Sequence, residues 1–371
     1  MTEKRIIPVV MPKWGLSMEE GKLTGWLVEA GRRINVGEAI LEVETDKIAG
    51  SVEATDAGLL RRRVGEPGTV YPVKALLAVI ADESITDKEI DDYVSSYVTP
   101  AAEAGKEGES TPKYEFVDLP DGRIRYAKRG SGDETVILIH GFGGDLDNWL
   151  FNIDALAGNA TVYALDLPGH GQSVKAIANP SLAVLAMTVV SFMNAMGVKS
   201  AHLVGHSLGG AIAMEIAREA KDRVKSLVLI SSAGLGPDIN IGYINGFIDA
   251  TSRRDLKPVI EQLFANPALV TRQLIDDLLK YKRLDGVDAA LRGIAGSVFP
   301  GGRQFARLDP GEVPAIVIWG AEDRIIPSSH ASAAAGAKSE IIEGAGHMVQ
   351  MEQAGKVNAL IKAHIANANL A

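Results

Sequence analysis

The sequence predicts a multidomain chain in which a small all-β flattened sandwich precedes an α/β domain with a mostly parallel sheet flanked by helices. Three observations predict this arrangement: a 37-residue internal repeat near the start, a short acidic segment after it, and a regular alternation of apolar strands and helical stretches further on. A length of 371 residues fits two or three domains of about 150 residues each. We therefore divide the chain into residues 1–81, 82–113 and 114–371.

The composition excludes several classes of protein. There are no cysteines, which excludes a disulfide scaffold, a cysteine-based zinc site and a thiol nucleophile, and no metal site is expected. No apolar run reaches the ~18 residues that cross a bilayer. Pro8 and Pro12 interrupt the apolar start of the chain, which argues against a signal peptide. We expect a cytoplasmic enzyme without a membrane partner.

The excess of negative charge lies mainly in one segment. Of the net charge of −9, residues 82–115 contribute −7, with ten acidic and three basic side chains. No broad basic surface remains to bind nucleic acid. The Ala, Gly, Glu, Ser and Pro content predicts a flexible linker over 82–113. Residues 86–98 could form a short helix with Ile90 on its apolar face, either frayed at the start of the linker or serving as a docking element.

An internal repeat organises the first 81 residues. Each copy has a glycine-containing turn followed by alternating apolar residues, which is typical of short, half-buried strands. The equivalent positions, 37 residues apart, are Gly31 and Gly68, Ile34 and Tyr71, Val36 and Val73, Ile40 and Leu77, and Val43 and Ile80. Two such units in about 80 residues predict a flattened β-sandwich with pseudo-two-fold symmetry.

The third region alternates strands with helices. YEFVDLP and GRIRYAKRG predict an opening hairpin, and a helix such as Leu208–Glu219 separates most of the later strands. The predicted buried strands are TVILIHG, TVYALDL, AHLVGHS, SLVLISS, AIVIWGA and SEIIEGA. This alternation predicts a parallel sheet covered on both faces. Residues 237–308, between SLVLISS and AIVIWGA, show only helical patterns, which predicts a helical cap over the C-terminal edge of the sheet.

A lysine marks the centre of the first domain. In AILEVETDKIAGSVEA, Lys47 lies at the tip of a predicted hairpin, where an isolated lysine would simply be solvated. MPKWGLSMEEGKLTGWLVEAG and the segments that follow closely resemble the lipoyl domains of 2-oxo acid dehydrogenase complexes, over nearly all of residues 5–80. This resemblance implies lipoate in amide linkage to Lys47. Biotin carriers place their lysine between two methionines, whereas Asp46 and Ile48 flank it here, which favours lipoate.

A serine marks the centre of the α/β domain. Gly205-His206-Ser207-Leu208-Gly209 is a G-x-S-x-G sequence between an apolar strand and an amphipathic helix, where a sharp turn would expose the hydroxyl of Ser207. The acid and the histidine should follow in that order, and Asp323 and His347 each come just after a strand. Glu322 is the rival for the acid. The backbone N–H groups of Phe142 and Leu208 are the candidate oxyanion hole.

These motifs together resemble the α/β-hydrolase family over residues 114–371. HGFGG, DLPGHGQS, GHSLGG, WGAEDRIIP and GAGHMVQME carry the resemblance, which implies a catalytic triad of Ser207, Asp323 and His347. The remaining histidines receive structural interpretations. His140 and His170 would shape loops, His206 would pack beside the nucleophile, and His202, His330 and His364 would be structural or solvated.

The combination of the two domains resembles the dihydrolipoamide acetyltransferases of acetoin dehydrogenase systems. That family transfers an acetyl group from lipoyl lysine to coenzyme A, which implies coenzyme A as a co-substrate and an acyl-serine intermediate on Ser207. The implied partners are a thiamine-diphosphate-dependent acetoin dehydrogenase component and an FAD-dependent dihydrolipoamide dehydrogenase. The H-x-x-x-D-G motif of pyruvate-type acyltransferases is absent from the sequence, and the linker contains no convincing subunit-binding module.

Two other hypotheses stay open at this point, as does a homo-oligomeric state. The protein could be a hydrolase, either a thioesterase or a carboxylesterase, with an appended lipoyl domain, because the same triad accepts water or a thiol. It could also be a carrier whose second domain is only a scaffold. Basic residues of the predicted cap could contact the phosphates of coenzyme A, or form a solvated face: Arg253, Arg254, Lys257, Lys280, Lys282 and Arg283.

Overall fold

The computed structural model forms two compact units, Met1–Pro112 and Lys113–Ala371. The structure describes residues 6–14, 18–45, 49–100, 114–304, 308–334 and 336–369. In these ranges no helix has the length and apolar character needed to span a membrane.

The first unit contains two four-stranded antiparallel sheets. Their strand orders are β1-β8-β6-β3 and β5-β4-β2-β7. The strands are β1 (Ile6–Val10), β2 (Glu20–Trp26), β3 (Arg33–Ile34), β4 (Ala39–Glu44), β5 (Ala49–Glu53), β6 (Gly58–Arg63), β7 (Val70–Pro72) and β8 (Leu76–Ala81). One apolar cluster, with Leu23, Ile40 and Leu60 fully buried, draws on both sheets. This confirms the predicted flattened sandwich.

The sequence repeat corresponds to a structural repeat. Strands β4 and β8 occupy equivalent central places in the two sheets, and their first residues, Ala39 and Leu76, are 37 positions apart. Gly31 and Gly68 adopt the same left-handed backbone, with φ of 91° and 90°, where a side chain would be strained. The repeat is imperfect at one predicted pair, because Val36 lies in an exposed turn whereas Val73 is buried.

The predicted lipoylation site falls in the connection between β4 and β5. These strands pair antiparallel, with Glu44 opposite Ala49, so residues 45–48 join them. Lys47 itself lies outside the described residues. The connection therefore has the position in the chain that the sequence predicts, at the end of a hairpin in one of the two sheets.

The first unit extends beyond residue 81, where we predicted its boundary. Helix α1 (Asp87–Ser96) begins at Thr86, which forms a capping box with Glu89. Its fully buried Ile90 packs against an apolar cluster that includes Val79 of β8. All six residues of β8 are buried, so both faces of this strand need apolar cover, and α1 supplies it on one of them.

Polar contacts fasten the same helix. Arg61 forms an ion pair with Asp87 at 2.8 Å, and its guanidinium also donates to the carbonyl of Ile85 at 2.9 Å. Tyr97, just after the helix, donates its hydroxyl proton to the carbonyl of Lys74 at 2.9 Å. These contacts do not fit a frayed helix at the start of a linker, because α1 packs on the sandwich of its own unit.

The second unit contains one eight-stranded sheet of order β16-β15-β14-β13-β11-β12-β10-β9. The strands are β9 (Glu115–Leu119), β10 (Gly122–Arg129), β11 (Glu134–Ile139), β12 (Ala160–Leu165), β13 (Ala201–His206), β14 (Val224–Ile230), β15 (Ala315–Gly320) and β16 (Lys338–Ile342). Strands β9 and β10 form the predicted antiparallel hairpin, and β10 also pairs antiparallel with β12. The remaining pairs are parallel, as predicted.

Helices connect these strands. They are α2 (Ile153–Leu156), α3 (Leu182–Ala195), α4 (Leu208–Glu219), α5 (Ile241–Asp249), α6 (Arg253–Ile260), α7 (Arg272–Lys282), α8 (Val287–Val298), α9 (Val349–Glu352) and α10 (Ala354–Ala368). Helices α5 to α8 lie between β14 and β15, and we call residues 237–304 the cap segment. Its apolar residues, such as Phe247, Phe264 and Ile294, are buried, so it forms a packed helical layer rather than an open loop.

Candidate active site

Ser207 occupies a strained turn between β13 and α4. Its φ of 52° and ψ of −117° lie outside the regions that non-glycine residues favour, which costs about 1–3 kcal/mol. The turn is tight: a Cβ on Gly205 would lie 2.3 Å from the carbonyl oxygen of Gly209. Ser207 is nevertheless largely buried, at 6% exposure. The strained turn agrees with the G-x-S-x-G pattern, whereas the residue as a whole is less exposed than predicted.

The loop after β11 lies directly against this turn. A Cβ placed on Gly141 would be 3.0 Å from the Cβ of Ser207. Phe142 follows Gly141, and Leu208 is the first residue of α4, so both predicted oxyanion donors flank the serine. Among the described residues, neither the Phe142 N–H nor the Leu208 N–H donates a hydrogen bond. Two free backbone N–H groups on either side of a serine are the kind of donors that can stabilise a developing oxyanion.

Asp323 and His347 form a buried hydrogen-bonded pair. His347 Nδ1 donates to Asp323 Oδ2 at 2.8 Å, and the side chains are 3% and 0% exposed. The other carboxylate oxygen of Asp323 accepts the N–H groups of Ile325 and Ile326 at 2.8 and 3.0 Å, which fixes its orientation. The bond at Nδ1 leaves Nε2 of His347 as the basic nitrogen, the tautomer that a serine needs.

Glu322, the rival acid, has a different role in the structure. Its carboxylate accepts the N–H groups of Gly344 and Ala345 at 3.1 and 2.9 Å. It therefore holds the loop that leads into His347 and makes its bonds to backbone, while Asp323 contacts the imidazole. The two adjacent carboxylates therefore have different partners: Glu322 binds backbone N–H groups of the loop, and Asp323 binds the imidazole of His347.

His206 links the serine turn to the histidine loop. Its Nε2 donates to the backbone carbonyl of His347 at 2.9 Å, and the two rings lie 4.7 Å apart. Burial, the neighbouring imidazole of His347 and, to a smaller extent, His140 lower the pKa of His206 well below 6.5, so it remains neutral. The sequence predicted only packing for this residue, because the bond joins positions 141 residues apart.

His140 and His170 make local contacts in two loops, in keeping with the loop-shaping roles predicted for them. His140 Nδ1 donates to the carbonyl of Gly141 at 2.8 Å, and its Nε2 accepts the N–H of Leu167 at 3.0 Å. His170 stacks edge-on against His140 at 5.0 Å and donates to the carbonyl of Pro168. Both pKa values are lowered, mainly by burial, and that of His170 falls to about 3.

The other histidines have structural surroundings. His202 donates to Glu134 at 3.0 Å and accepts from Ser226 at 2.8 Å, fully buried. His330 is buried beside Asp238, and burial lowers the pKa of His364. These positions agree with the structural interpretation of all three residues.

Most of the cap cations that could contact coenzyme A are already engaged. Arg253 pairs with Asp276, Lys280 with Asp277, and Lys257 with Glu261. Lys282 donates to two backbone carbonyls at the end of α5, at 2.6 and 2.8 Å. A helix C-terminus disfavours anions, so Lys282 is a helix cap rather than a phosphate ligand.

Aromatic side chains of the cap segment pack on the loop after β11, which contains Phe142. The ring of Phe142 meets those of Phe247 and Phe299 edge-on, each at 6.2 Å. Phe247 also approaches Gly143, where a Cβ would lie 2.5 Å from the ring. These rings limit access of water, which strengthens electrostatic interactions around the serine. The arrangement can perform acyl transfer through a serine ester.

Two family models match the two units. A model of the α/β hydrolase fold matches residues 134–354, and a model of the domain shared by biotin-requiring enzymes and lipoyl proteins matches residues 7–80. A meta-cleavage product hydrolase from Pseudomonas fluorescens has a similar structure, with a TM-score of 0.62 and 25% identity over 68% of this chain and 98% of that one. A bacterial membrane phospholipase A has a TM-score of 0.61 at 27% identity, over 70% of this chain and 87% of that one.

Two relatives match almost the whole chain. The dihydrolipoyllysine-residue acetyltransferase component of the acetoin cleaving system of Cupriavidus necator is 54% identical over 97% of both chains. The corresponding component of Pseudomonas putida is 47% identical, over 95% of this chain and 97% of its own. Because both units and their order are shared at this level of identity, the chain belongs to the family of dihydrolipoyllysine-residue acetyltransferase components of acetoin cleaving systems.

Proposed function

We propose that this protein transfers an acetyl group from a lipoyl thioester to coenzyme A within an acetoin-cleaving complex. The observation that carries this proposal is full-length similarity to two acetyltransferase components, together with a strained Ser207 and a buried Asp323–His347 pair that the hydrogen bond of His206 to His347 connects. The partners would be the other components of such a complex: a thiamine-diphosphate-dependent acetoin dehydrogenase and an FAD-dependent dihydrolipoamide dehydrogenase.

In this proposal the first unit is a carrier and the chain after α1 is a tether. Lipoate in amide linkage to Lys47 would supply a dithiol that holds the acetyl group as a thioester. The hairpin of β4 and β5 supports this role, since it ends in the four-residue connection that contains Lys47. A tether of 16 residues, from 98 to 113, has a root-mean-square span of about 20–25 Å if it is a flexible coil, which brings the carrier within reach of several sites.

The proposed chemistry begins at Ser207. His347 Nε2 accepts the hydroxyl proton while Ser207 Oγ attacks the carbonyl carbon of the thioester. The N–H groups of Phe142 and Leu208 hold the oxyanion of the tetrahedral intermediate, and one such donor is worth about 3–4 kcal/mol. His347 then returns the proton to the departing thiol as the carbon–sulfur bond breaks, which leaves acetyl-Ser207.

The second half reverses these roles. His347 takes the proton of the coenzyme A thiol, whose sulfur attacks the acetyl-serine carbonyl. The same two N–H groups hold the second oxyanion. His347 finally protonates Ser207 Oγ as acetyl coenzyme A departs, which restores the serine. Throughout both halves Asp323 keeps the imidazole in one tautomer and stabilises its protonated form.

The test is the turnover of acetyl-dihydrolipoamide by the purified full chain, with and without coenzyme A, beside Ser207→Ala. We expect acetyl coenzyme A to form faster than free acetate, and we expect this activity to be lost in the variant. Equal acetate production without coenzyme A would instead identify a tethered thioesterase. Full activity in Ser207→Ala would exclude this serine as the nucleophile.

A further inference from the structure

The carboxylate of Glu352 lies between the loop of His347 and the cap segment. Glu352 is the last residue of α9, five positions after His347. One oxygen of its carboxylate accepts the N–H of Gly346 at 2.6 Å. The other accepts the N–H groups of Ala265 and Asn266, at 2.8 and 3.2 Å. A single side chain thus joins the residue before the histidine to the middle of the cap segment.

Direct backbone contacts reinforce this junction. Met348 N–H donates to the carbonyl of Leu263 at 3.1 Å. The approach at Gly346 is so close that a Cβ would lie 2.8 Å from the Ala265 nitrogen and 2.9 Å from the Leu263 oxygen. The cap segment therefore touches the histidine loop on both sides of His347, and glycine is the residue that permits it.

The two glutamates around this loop divide its N–H groups between them. Glu322 accepts those of Gly344 and Ala345, and Glu352 accepts that of Gly346. Hydrogen bonds to ionised carboxylates are about twice as strong as those between neutral groups. Of these two glutamates, Glu352 is the one whose described hydrogen bonds also reach the cap segment, at Ala265 and Asn266.

We propose that Glu352 is a positioning residue that fixes the loop of His347 against the cap segment and thereby aligns the imidazole for proton transfer. This inference rests on the proposed role of His347 in acyl transfer. It adds a physical connection from the cap segment, which packs on the loop that contains Phe142, to the proposed general base. A displacement of about 1 Å at such a base reduces the rate by about 10- to 100-fold.

The test compares Glu352→Gln with Glu322→Gln in the full chain. Each substitution replaces a carboxylate that accepts N–H groups from the same loop, so each should weaken the loop to a similar degree. Hydrogen exchange is followed in peptides that cover residues 262–267 and 343–348. We expect Glu352→Gln to increase exchange in both peptides and Glu322→Gln to increase it in the second alone. The same pattern for both variants would overturn the proposal.

Kinetics with p-nitrophenyl acetate supply the second readout. For Glu352→Gln we expect the rate of serine acylation at saturation to fall about 10- to 100-fold with KM nearly unchanged. Glu352→Asp keeps the charge but is too short to reach both Gly346 and the cap segment. Its acylation rate should therefore fall by a similar factor. An unchanged acylation rate in both variants would refute the positioning role. Because the exchange experiment needs neither lipoamide nor coenzyme A, its outcome is separable from that of the proposed function.

Discussion

His206 donates a hydrogen bond from its Nε2 to the backbone carbonyl of His347, at 2.9 Å, and thereby connects the residue before the proposed nucleophile to the residue proposed as its base. The imidazole rings of the two histidines also lie 4.7 Å apart. The hydrogen bond and the ring contact therefore both connect the serine turn to the histidine loop. The neutral state of His206 leaves a single proton, and the carbonyl of His347 determines that it is on Nε2.

This relationship predicts that the donor, rather than the ring, is what matters at position 206. His206→Leu removes the donor and should lower the rate of serine acylation by about 10-fold or more, since a misplaced base reduces proton transfer. His206→Gln places an amide N–H near the position of Nε2 and should recover most of that rate. The acylation burst with p-nitrophenyl acetate measures both. Equal rates in the two variants would show that the hydrogen bond has no catalytic consequence.

The second prediction separates the two adjacent acids. Asp323→Asn should lower kcat by about 10³- to 10⁴-fold, because the amide no longer favours the tautomer with the proton on Nδ1. Glu322→Gln loosens only backbone contacts and should cost less than about 100-fold. Steady-state turnover of acetyl-dihydrolipoamide is the measurement. A larger loss in Glu322→Gln than in Asp323→Asn would reverse their assigned roles.

These residues illustrate what the sequence could predict. Ser207, Asp323 and His347 each follow a strand within a few residues, so local patterns and the edge rule for parallel sheets locate them. The 37-residue repeat likewise predicted both sheets of the first unit. Glu352 has no such signal, because its partners Ala265 and Asn266 come from the cap segment and depend on tertiary packing.

Helix α1 illustrates a different limit. Its apolar face was visible in the sequence, but the acidic composition around it favoured a linker. All six residues of β8 are apolar in the sequence, but the face that α1 must cover is apparent only once the strand is placed in its sheet. Composition therefore placed residues 82–97 in the predicted linker, although the contacts of α1 and Tyr97 join them to the sandwich.

The third prediction concerns stability of this helix. Ile90→Ala removes a fully buried side chain and should lower the free energy of unfolding of the first unit by about 2–4 kcal/mol. Val98→Ala, at a position that is 82% exposed just beyond the helix, should change it by less than about 0.5 kcal/mol. Hydrogen exchange of β8 in the full chain reports the difference. Identical exchange in both variants would mean that α1 contributes nothing to the sandwich.

The fourth prediction concerns pH. The ordinary pKa of 6.5 applies to His170 in the unfolded chain, whereas burial lowers the pKa of the folded group to about 3. Between about pH 3 and pH 6.5 the unfolded chain binds more protons at this histidine than the folded protein does. The contribution of neutral His170 to the free energy of unfolding is therefore complete above pH 6.5 and is lost as the pH falls below it. Between about pH 7.5 and about pH 5.5 the loss is about 1.4 kcal/mol for this residue.

His170→Phe tests this value, because phenylalanine fits an aromatic cluster but binds no proton. Denaturant unfolding at the two pH values should show a decrease in stability that is smaller in the variant than in the wild type by about 1.4 kcal/mol. Subtracting the pH dependence of the variant from that of the wild type cancels the contributions of the other titrating groups. One of these is Asp145, whose pKa is raised to about 7 by burial and the nearby carboxylates. Parallel pH profiles for the two proteins would exclude His170 as a contributor.

The last prediction separates the two proposed halves of the activity. Lys47→Arg keeps the positive charge but cannot form the amide to lipoate, so acetyl transfer through the reconstituted complex should fall to background. Turnover of free acetyl-dihydrolipoamide should persist, because Ser207, Asp323 and His347 lie in a separate unit. Lys22→Arg, an exposed lysine in β2, is the matched control and should retain flux in both assays. Normal complex flux in Lys47→Arg would contradict the carrier role, and loss of free-substrate turnover would mean that the first unit contributes to the chemistry itself.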